Sequence, residues 1–377
     1  MSLAREKLAQ AQNLLSAGDL WLIFGEESLE PPEPALELLT EASFTWATFL
    51  LITREEAQAI VGRYDAPSLP AFWSVEAYDE DFTPILTRAL EELAPRRILL
   101  DYGTEPLLDA LGHGAYLRLR SLLRGFRQGS AERLLFALRS HKSFEEQTRL
   151  TRAIREAEAD LKALEEALEA SWSELEAQAF LHRRLRERGL EPAWGWSGCS
   201  LLHFGRAPSH APPSPTPLRP RSLLHIDYGV RYQGYCSDLQ RSFWSGGAIP
   251  EHVQRAFQAV RAALDAAASA LRPGTPGYEV DRAARQKLLE WGYPEHRFAT
   301  GHPLGRATHD VGPLLGPLWP RYRDRPRQRV QEGEIYAIEL GVLLEEGYIG
   351  LEEDLRVGLK GAEWISERQE TLRALDL

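Results

Sequence analysis

Cysteine is nearly missing from this sequence: Cys199 and Cys236 are the two among 377 residues. A disulfide scaffold is therefore excluded, and a reducing compartment, the cytoplasm, is the expected location. Long apolar runs are missing too. No uninterrupted stretch approaches the roughly 20 residues that cross a bilayer. The opening Met1-Ser2-Leu3-Ala4-Arg5-Glu6-Lys7 mixes charges where a signal peptide would begin its apolar core. Net positive charge is absent as well, with 44 Lys+Arg against 55 Asp+Glu and a formal charge of -11. That field repels both phosphate backbones and acidic lipid, so neither nucleic acid nor membrane is expected as a partner. Lysine is scarce: Lys7, Lys142, Lys162, Lys287 and Lys360 are the only lysines among those 44 basic residues. This arginine bias, beside a single methionine, fits a GC-rich genome or a heat-adapted host and carries no information about activity. What remains, 44% hydrophobic and 26% charged residues, is ordinary for a globular chain long enough for two or three domains.

Residues 1–137 alternate helical and strand patterns and predict an α/β domain. A helix is expected over Leu3–Ala17 and apolar strands at Asp19–Phe24, Phe49–Ile52 and Arg97–Asp101. No metal cluster or phosphate-cradling glycine loop is visible there, so its expected role is to shape access to a site elsewhere or to pair subunits. The boundary falls near Leu138. Ser143 with Glu146 forms a capping-box pattern that opens a long charged helix reaching about Ala170. A second helix, from about Ser173 to Glu187, should end at Gly189. After the proline-dense loop from Pro208 to Pro220, which holds His210, come a hairpin, helices over Pro250–Leu271 and Tyr278–Trp291, and a second hairpin.

The two hairpins carry the unusual chemistry. Asp227 and Asp238 lie on strands flanking a turn between Val230 and Gly234, and a bend centred on Tyr232 and Gln233 would make them cross-strand neighbours. Ile335–Leu340 and Tyr348–Glu353 flank a second turn at Glu345-Glu346-Gly347. A bend centred on Glu346 places Glu339 opposite Glu353, and a half-residue shift substitutes Glu352. Between the hairpins lies Gly301-His302-Pro303-Leu304-Gly305, a histidine beside two glycines that allow close backbone approach. Paired carboxylates inside apolar strands repel unless a proton or a cation lies between them, and hard divalent cations are the usual occupants of such oxygen pairs.

With these residues on the page, the chain resembles the creatinase/aminopeptidase P/prolidase family of pita-bread metallopeptidases. The pattern is Ile226-Asp227-Tyr228-Gly229 to Gly234-Tyr235-Cys236-Ser237-Asp238, then Thr300-Gly301-His302-Pro303-Leu304-Gly305 with His309, then Ile338-Glu339 and Leu351-Glu352-Glu353-Asp354. The resemblance implies an α+β pita-bread catalytic domain over 138–377, preceded by a smaller α/β creatinase-like N-terminal domain over 1–137. It implies two divalent ions (Mn, Co, Fe or Zn): Asp227 on one, His302 and Glu339 on the other, Asp238 and Glu353 bridging. Glu353 is preferred to Glu352 because the family's last glutamate is directly followed by aspartate. His210 and His309 match the family histidines that line the substrate site and help move protons, and Glu339 is placed to shuttle a proton to the leaving nitrogen.

The implied function is hydrolysis of the N-terminal bond of short peptides, Xaa-Pro above all, by a homodimer. The alternatives are a creatinase-like C–N hydrolase and a non-catalytic peptidase-like binding protein; both types lose ligands, and here the set is complete. Three departures from the family pattern stand out: Glu339-Leu340-Gly341 for Glu-Pro-Gly, Gly301-His302-Pro303 for Gly-His-Gly, and Leu351 where proline-specific members carry an arginine. Arg306 is a candidate substitute for that arginine.

Overall fold

The computed structural model describes residues 2–27, 33–207 and 209–375. The chain divides into two compact units, Met1–Arg139 and Ser140–Leu377. The first holds a six-stranded mixed sheet in the order Ser74–Tyr78, Ala57–Gly62, Thr48–Ile52, Asp19–Gly25, Arg97–Leu100, Gln128–Ser130. Strands Asp19–Gly25 and Thr48–Ile52 are buried at every position, as continuous apolar runs in the middle of a covered sheet must be. The outer strand Ser74–Tyr78 is half polar and largely exposed, which is why it carries no apolar signal in the sequence.

A buried acid pair lies in this unit. Glu33 caps helix Pro34–Thr40, its Oε2 accepting from the backbone N–H groups of Ala35 and Leu36 at 2.8 and 2.7 Å. Asp101 accepts from Trp21 Nε1 at 2.6 Å. Glu33 Oε1 and Asp101 Oδ2 have no partner among the described residues, a deficit that one proton shared between the two carboxyls would satisfy. Burial, and then the facing Asp101 carboxylate, raises Glu33 well above the usual range, and burial raises Asp101 to about 7.

In the second unit, Ser143 and Ser173 each form a full capping box, opening helices Phe144–Ala167 and Glu174–Glu187. The latter ends near Gly189, whose φ of 63° is left-handed. These helices cover one half of an eight-stranded sheet, burying Leu181, Leu185, Leu224, Ile226 and Phe243 together. Helices Glu251–Ala270 and Gly277–Glu290 cover the other half through Val260, Leu264, Ile338, Leu340 and Leu351. The sheet runs Gly301–Pro303, Ile335–Leu343, Tyr348–Gly358, Leu239–Ser245, Leu223–Tyr228, Leu201–Phe204, and off this path Gly361–Trp364 pairs with Tyr348–Gly358 and Arg373–Leu375 with Leu239–Ser245. Side chains of a strand alternate between faces, so packing these apolar residues beneath helices sends their sequence neighbours to the opposite face. Those neighbours are the acids. Pro303 is accommodated because its three-residue strand is the sheet's edge, where a missing N–H costs no ladder bond. No helix among the described residues is long and apolar enough to cross a membrane.

A carboxyl whose folded pKa is raised stabilises the fold while protonated, and that contribution is lost as pH rises through the folded value. The full chain should therefore lose thermal stability between about pH 4, the unfolded carboxyl value, and about 7, where Asp101 titrates. Asp101→Asn, which keeps the acceptor for Trp21, should flatten that slope in melting curves recorded across this window. An unchanged slope would show that the pair does not share a proton.

Candidate metal centre

Strand pairing builds the site as one row across five strands. Leu201 pairs with Asp227, Asp227 with Gln240, Gln240 with Glu352, and Glu352 with Glu339. Paired residues share a face, so Asp227, Gln240, Glu352 and Glu339 stand side by side on the face opposite the helices. The next row brings His302 opposite Ala337 and Ala337 opposite Asp354.

Asp238 enters differently. The first hairpin turns at Gln233 and Gly234, both left-handed with φ of 46° and 82°, one residue later than the bend centred on Tyr232 and Gln233. Asp227 consequently faces Gln240 and not Asp238. Asp238 lies in the break between strands Tyr235–Cys236 and Leu239–Ser245, held by its backbone N–H on Asp354 Oδ2 at 3.3 Å. From there Asp238 Oδ2 reaches to 3.5 Å from His302 Nε2, and Glu352 Oε1 lies 3.5 Å from the same nitrogen. Ligand atoms of Asp238, His302 and Glu352 all fall within 4.8 Å of one another.

The electrostatics are compensated only in part, by Gln240 and Arg241 at Glu352 and by His302 at Asp227. Asp227, Asp238 and Glu352 are each at most 5% exposed, and Asp227 Oδ1, Asp238 Oδ1, Glu352 Oε1 and Asp354 Oδ1 have no hydrogen-bond partner among the described residues. Burial pushes all four carboxyls well above the usual range, and their neighbours push further: Glu352 and Glu339 on Asp227, Glu352 and Asp227 on Asp238, Glu339 on Glu352, and Glu352 on Asp354. Burial lowers His302, leaving a neutral imidazole free to ligate. Carboxylate oxygens without hydrogen-bond partners among the described residues, beside one imidazole, fit a divalent ion of the Mn, Fe, Co or Zn type.

Glu353, the residue expected beside Glu339, does not join this group. The second hairpin bends between Glu345 and Glu346, pairing Leu343 with Tyr348, so Glu339 meets Glu352 and Ile338 meets Glu353. A shift of one residue reverses which face a strand's side chain takes. Glu353 points toward the helices and is saturated there: Arg261 Nη1 and Gln369 N donate to Oε1 at 2.9 Å each, and Ser366 Oγ to Oε2 at 3.0 Å, with Arg241 Nη2 at 3.2 Å. Glu352 keeps one oxygen, Oε1, without a partner among the described residues, whereas both oxygens of Glu353 are satisfied. The position two before the site glutamate becomes Gly350 instead of Leu351. A Cβ there would come within 2.5 Å of His225 Nε2, so that face of the site has no room for an arginine. Arg306 stacks on Tyr235 at 5.3 Å.

Three histidines frame the cluster. His309 lies with its ring 4.2 Å from that of His302; this neighbour, ahead of burial, lowers its pKa to about 3. Protein atoms crowd the ring while solvent still reaches it. His210 is half exposed, its Nε2 3.9 Å from Asp227 Oδ2 and its Nδ1 2.9 Å from Ser209 Oγ. His225, which the sequence pattern did not single out, is buried beside Tyr348, ring to ring at 5.0 Å. Phe298 extends the aromatic rim, edge-on to His210 at 5.5 Å and to His296 at 5.7 Å. Gln240 also went unread: a lone glutamine in a strand carries no signal until pairing puts it among carboxylates.

With the geometry in view, comparison with known proteins is direct. The model of metallopeptidase family M24 matches residues 148–358. The chain is 28% identical over 260 residues to a Bacillus subtilis protein described as putative dipeptidase YkvY, covering 67% of this chain and 68% of that one. Its structure is similar to that of an X-Pro aminopeptidase from Thermotoga maritima, at TM-score 0.79 and 21% identity over 97% of this chain and 99% of that one. It is equally similar to an Xaa-Pro dipeptidase from Bacillus anthracis, at 0.78 and 20% over 99% and 100%. The chain belongs to metallopeptidase family M24 and has the α+β pita-bread fold. The family implies that a divalent metal is bound.

Glutamines at the two adjacent glutamates should act in opposite directions. Glu353→Gln leaves Arg241 and Arg261 uncompensated and should cost about 3–5 kcal/mol in chemical denaturation. Glu352→Gln relieves repulsion, so in chelator it should leave stability unchanged or raise it. The reverse order would place Glu353 in the cluster.

Proposed function

We propose that this protein is a metal-dependent exopeptidase that removes the N-terminal residue of short peptides, with Xaa-Pro bonds as its preferred substrates. The observation that carries the proposal is the row Asp227, Glu352 and Glu339 with Asp238 and His302: donors gathered together, all buried but the half-buried Glu339 and several without partners among the described residues. These five residues would hold two divalent ions. When bound, such ions polarise the scissile carbonyl and acidify water at the site.

The chain's own groups supply the rest. Glu339 is the carboxylate of the row that solvent reaches, and it is placed to accept a proton and return it to the leaving nitrogen. His309, kept neutral, is placed to donate a hydrogen bond from its ring N–H to the substrate carbonyl. His210 is oriented by Ser209 and presents Nε2 toward the Asp227 end of the row, away from His302, where an ion would be open to the substrate's free amine. Phe298, edge-on to His210, offers an apolar surface beside the Asp227 end that suits a compact, uncharged ring such as proline, and at Gly350 the site lacks the arginine common to proline-specific relatives. The likeness to an X-Pro aminopeptidase from Thermotoga maritima and an Xaa-Pro dipeptidase from Bacillus anthracis supports the Xaa-Pro preference. A cytoplasmic homodimer completes the proposal; two buried, unpaired cysteines support the location.

Substrate choice tests this. Manganese-loaded protein should cleave Ala-Pro or Ala-Pro-Ala much faster than Ala-Ala-Ala, and chelator should abolish cleavage. Turnover of Ala-Pro alone would make it a dipeptidase and of Ala-Pro-Ala an aminopeptidase. Acetylation of the substrate amine should stop cleavage; equal rates on acetylated peptides would rule out an exopeptidase.

A further inference from the structure

Gln240 occupies the centre of the acidic row, paired on one side with Asp227 and on the other with Glu352. Its Nε2 donates to Glu339 Oε2 at 2.7 Å and to Glu352 Oε2 at 2.9 Å. Both amide hydrogens are thereby used, one on each glutamate. The two carboxylates also fix the amide's orientation, since only its NH2 can face two acceptors. Oε1 must then accept, and its partner is His225 Nε2 at 3.0 Å. His225 therefore carries its proton on Nε2, consistent with a buried Nδ1 that has no partner. His203, stacked at 6.0 Å, and Tyr348, edge-on at 5.0 Å, hold the ring in place.

We infer that Gln240, set by His225, is a positioning residue that decides which oxygen of Glu339 and of Glu352 faces the metal. Occupying each Oε2 leaves Glu352 Oε1 as the atom turned to His302 and Asp238. A neutral amide between three carboxylates also spreads their charge without adding a cation that would compete with the ions. Hydrogen bonds of this kind orient the groups that ligate a metal, and their loss costs about 10- to 100-fold in affinity. The inference rests on the metal-binding reading above.

Calorimetric titration of metal-free, full-length protein with Mn2+ tests it without recourse to activity. Gln240→Met keeps length and volume but donates nothing, and should weaken Mn2+ binding about 10- to 100-fold. His225→Phe keeps the ring but not the donor and should weaken binding in the same direction. His225→Gln, which places an N–H near the position of Nε2, should recover affinity to within about two-fold of the parent. A purely structural role for this position would not be rescued in that way. Parent-like affinity in Gln240→Met overturns the inference; should that variant not fold, equal affinities of His225→Phe and His225→Gln overturn it instead. A parent that takes up no Mn2+ is a distinct result, which overturns the metal-binding reading and the inference with it.

Discussion

The structure depends on burying like charges side by side. Asp227, Asp238, Glu352 and Asp354 are removed from water on one face of a sheet whose other face is sealed by two helix pairs. Desolvation and mutual repulsion both disfavour their ionised forms, and hydrogen bonding relieves the group only in part. A fold that stored this much repulsion for no purpose would be poorer than one with apolar residues in the same places. A divalent ion would turn the liability into affinity, because unpartnered oxygens are available to ligate it.

The rest of the second unit can be understood as what holds these groups at fixed spacing. The helices supply apolar mass that locks strand faces, and a one-residue slip would exchange Glu352 for Glu353. Glu353 resists that slip from the other side. Its two guanidinium partners and its bonds from Ser366 and Gln369 would be lost if it rotated into the cluster. Two adjacent glutamates thus do opposite work, one compensated and one deliberately left open. Gln240 stands between the open acids, and the histidine and tyrosine above Gly350 give the site a neutral wall.

What could be read without coordinates was whatever short-range chemistry writes plainly. The capping boxes at Ser143 and Ser173, the helices they open, the apolar strands at Asp19 and Thr48, and the histidine between two acidic hairpins all show as local patterns. The strands Ser74–Tyr78 and Gln128–Ser130 did not, because edge strands exposed to solvent lose the alternation that marks a half-buried sheet.

Residue type and order alone determined that acids at 227, 238, 339 and 352 or 353, with His302, belong to hairpins of one domain, because turn residues and apolar alternation are properties of adjacent positions. Register was decided only by tertiary structure. Whether a turn centres on Tyr232 and Gln233 or on Gln233 and Gly234, and on Glu346 or half a residue earlier, changes nothing in local pattern. In the second hairpin the half-residue difference inverts every side chain beyond the turn, whereas in the first the whole-residue difference moves the pairing by two, so that Asp227 meets Gln240 instead of Asp238 on the same face. That choice belongs to the packing of Ile338, Leu340 and Leu351 beneath the helices, which no window of neighbouring residues contains.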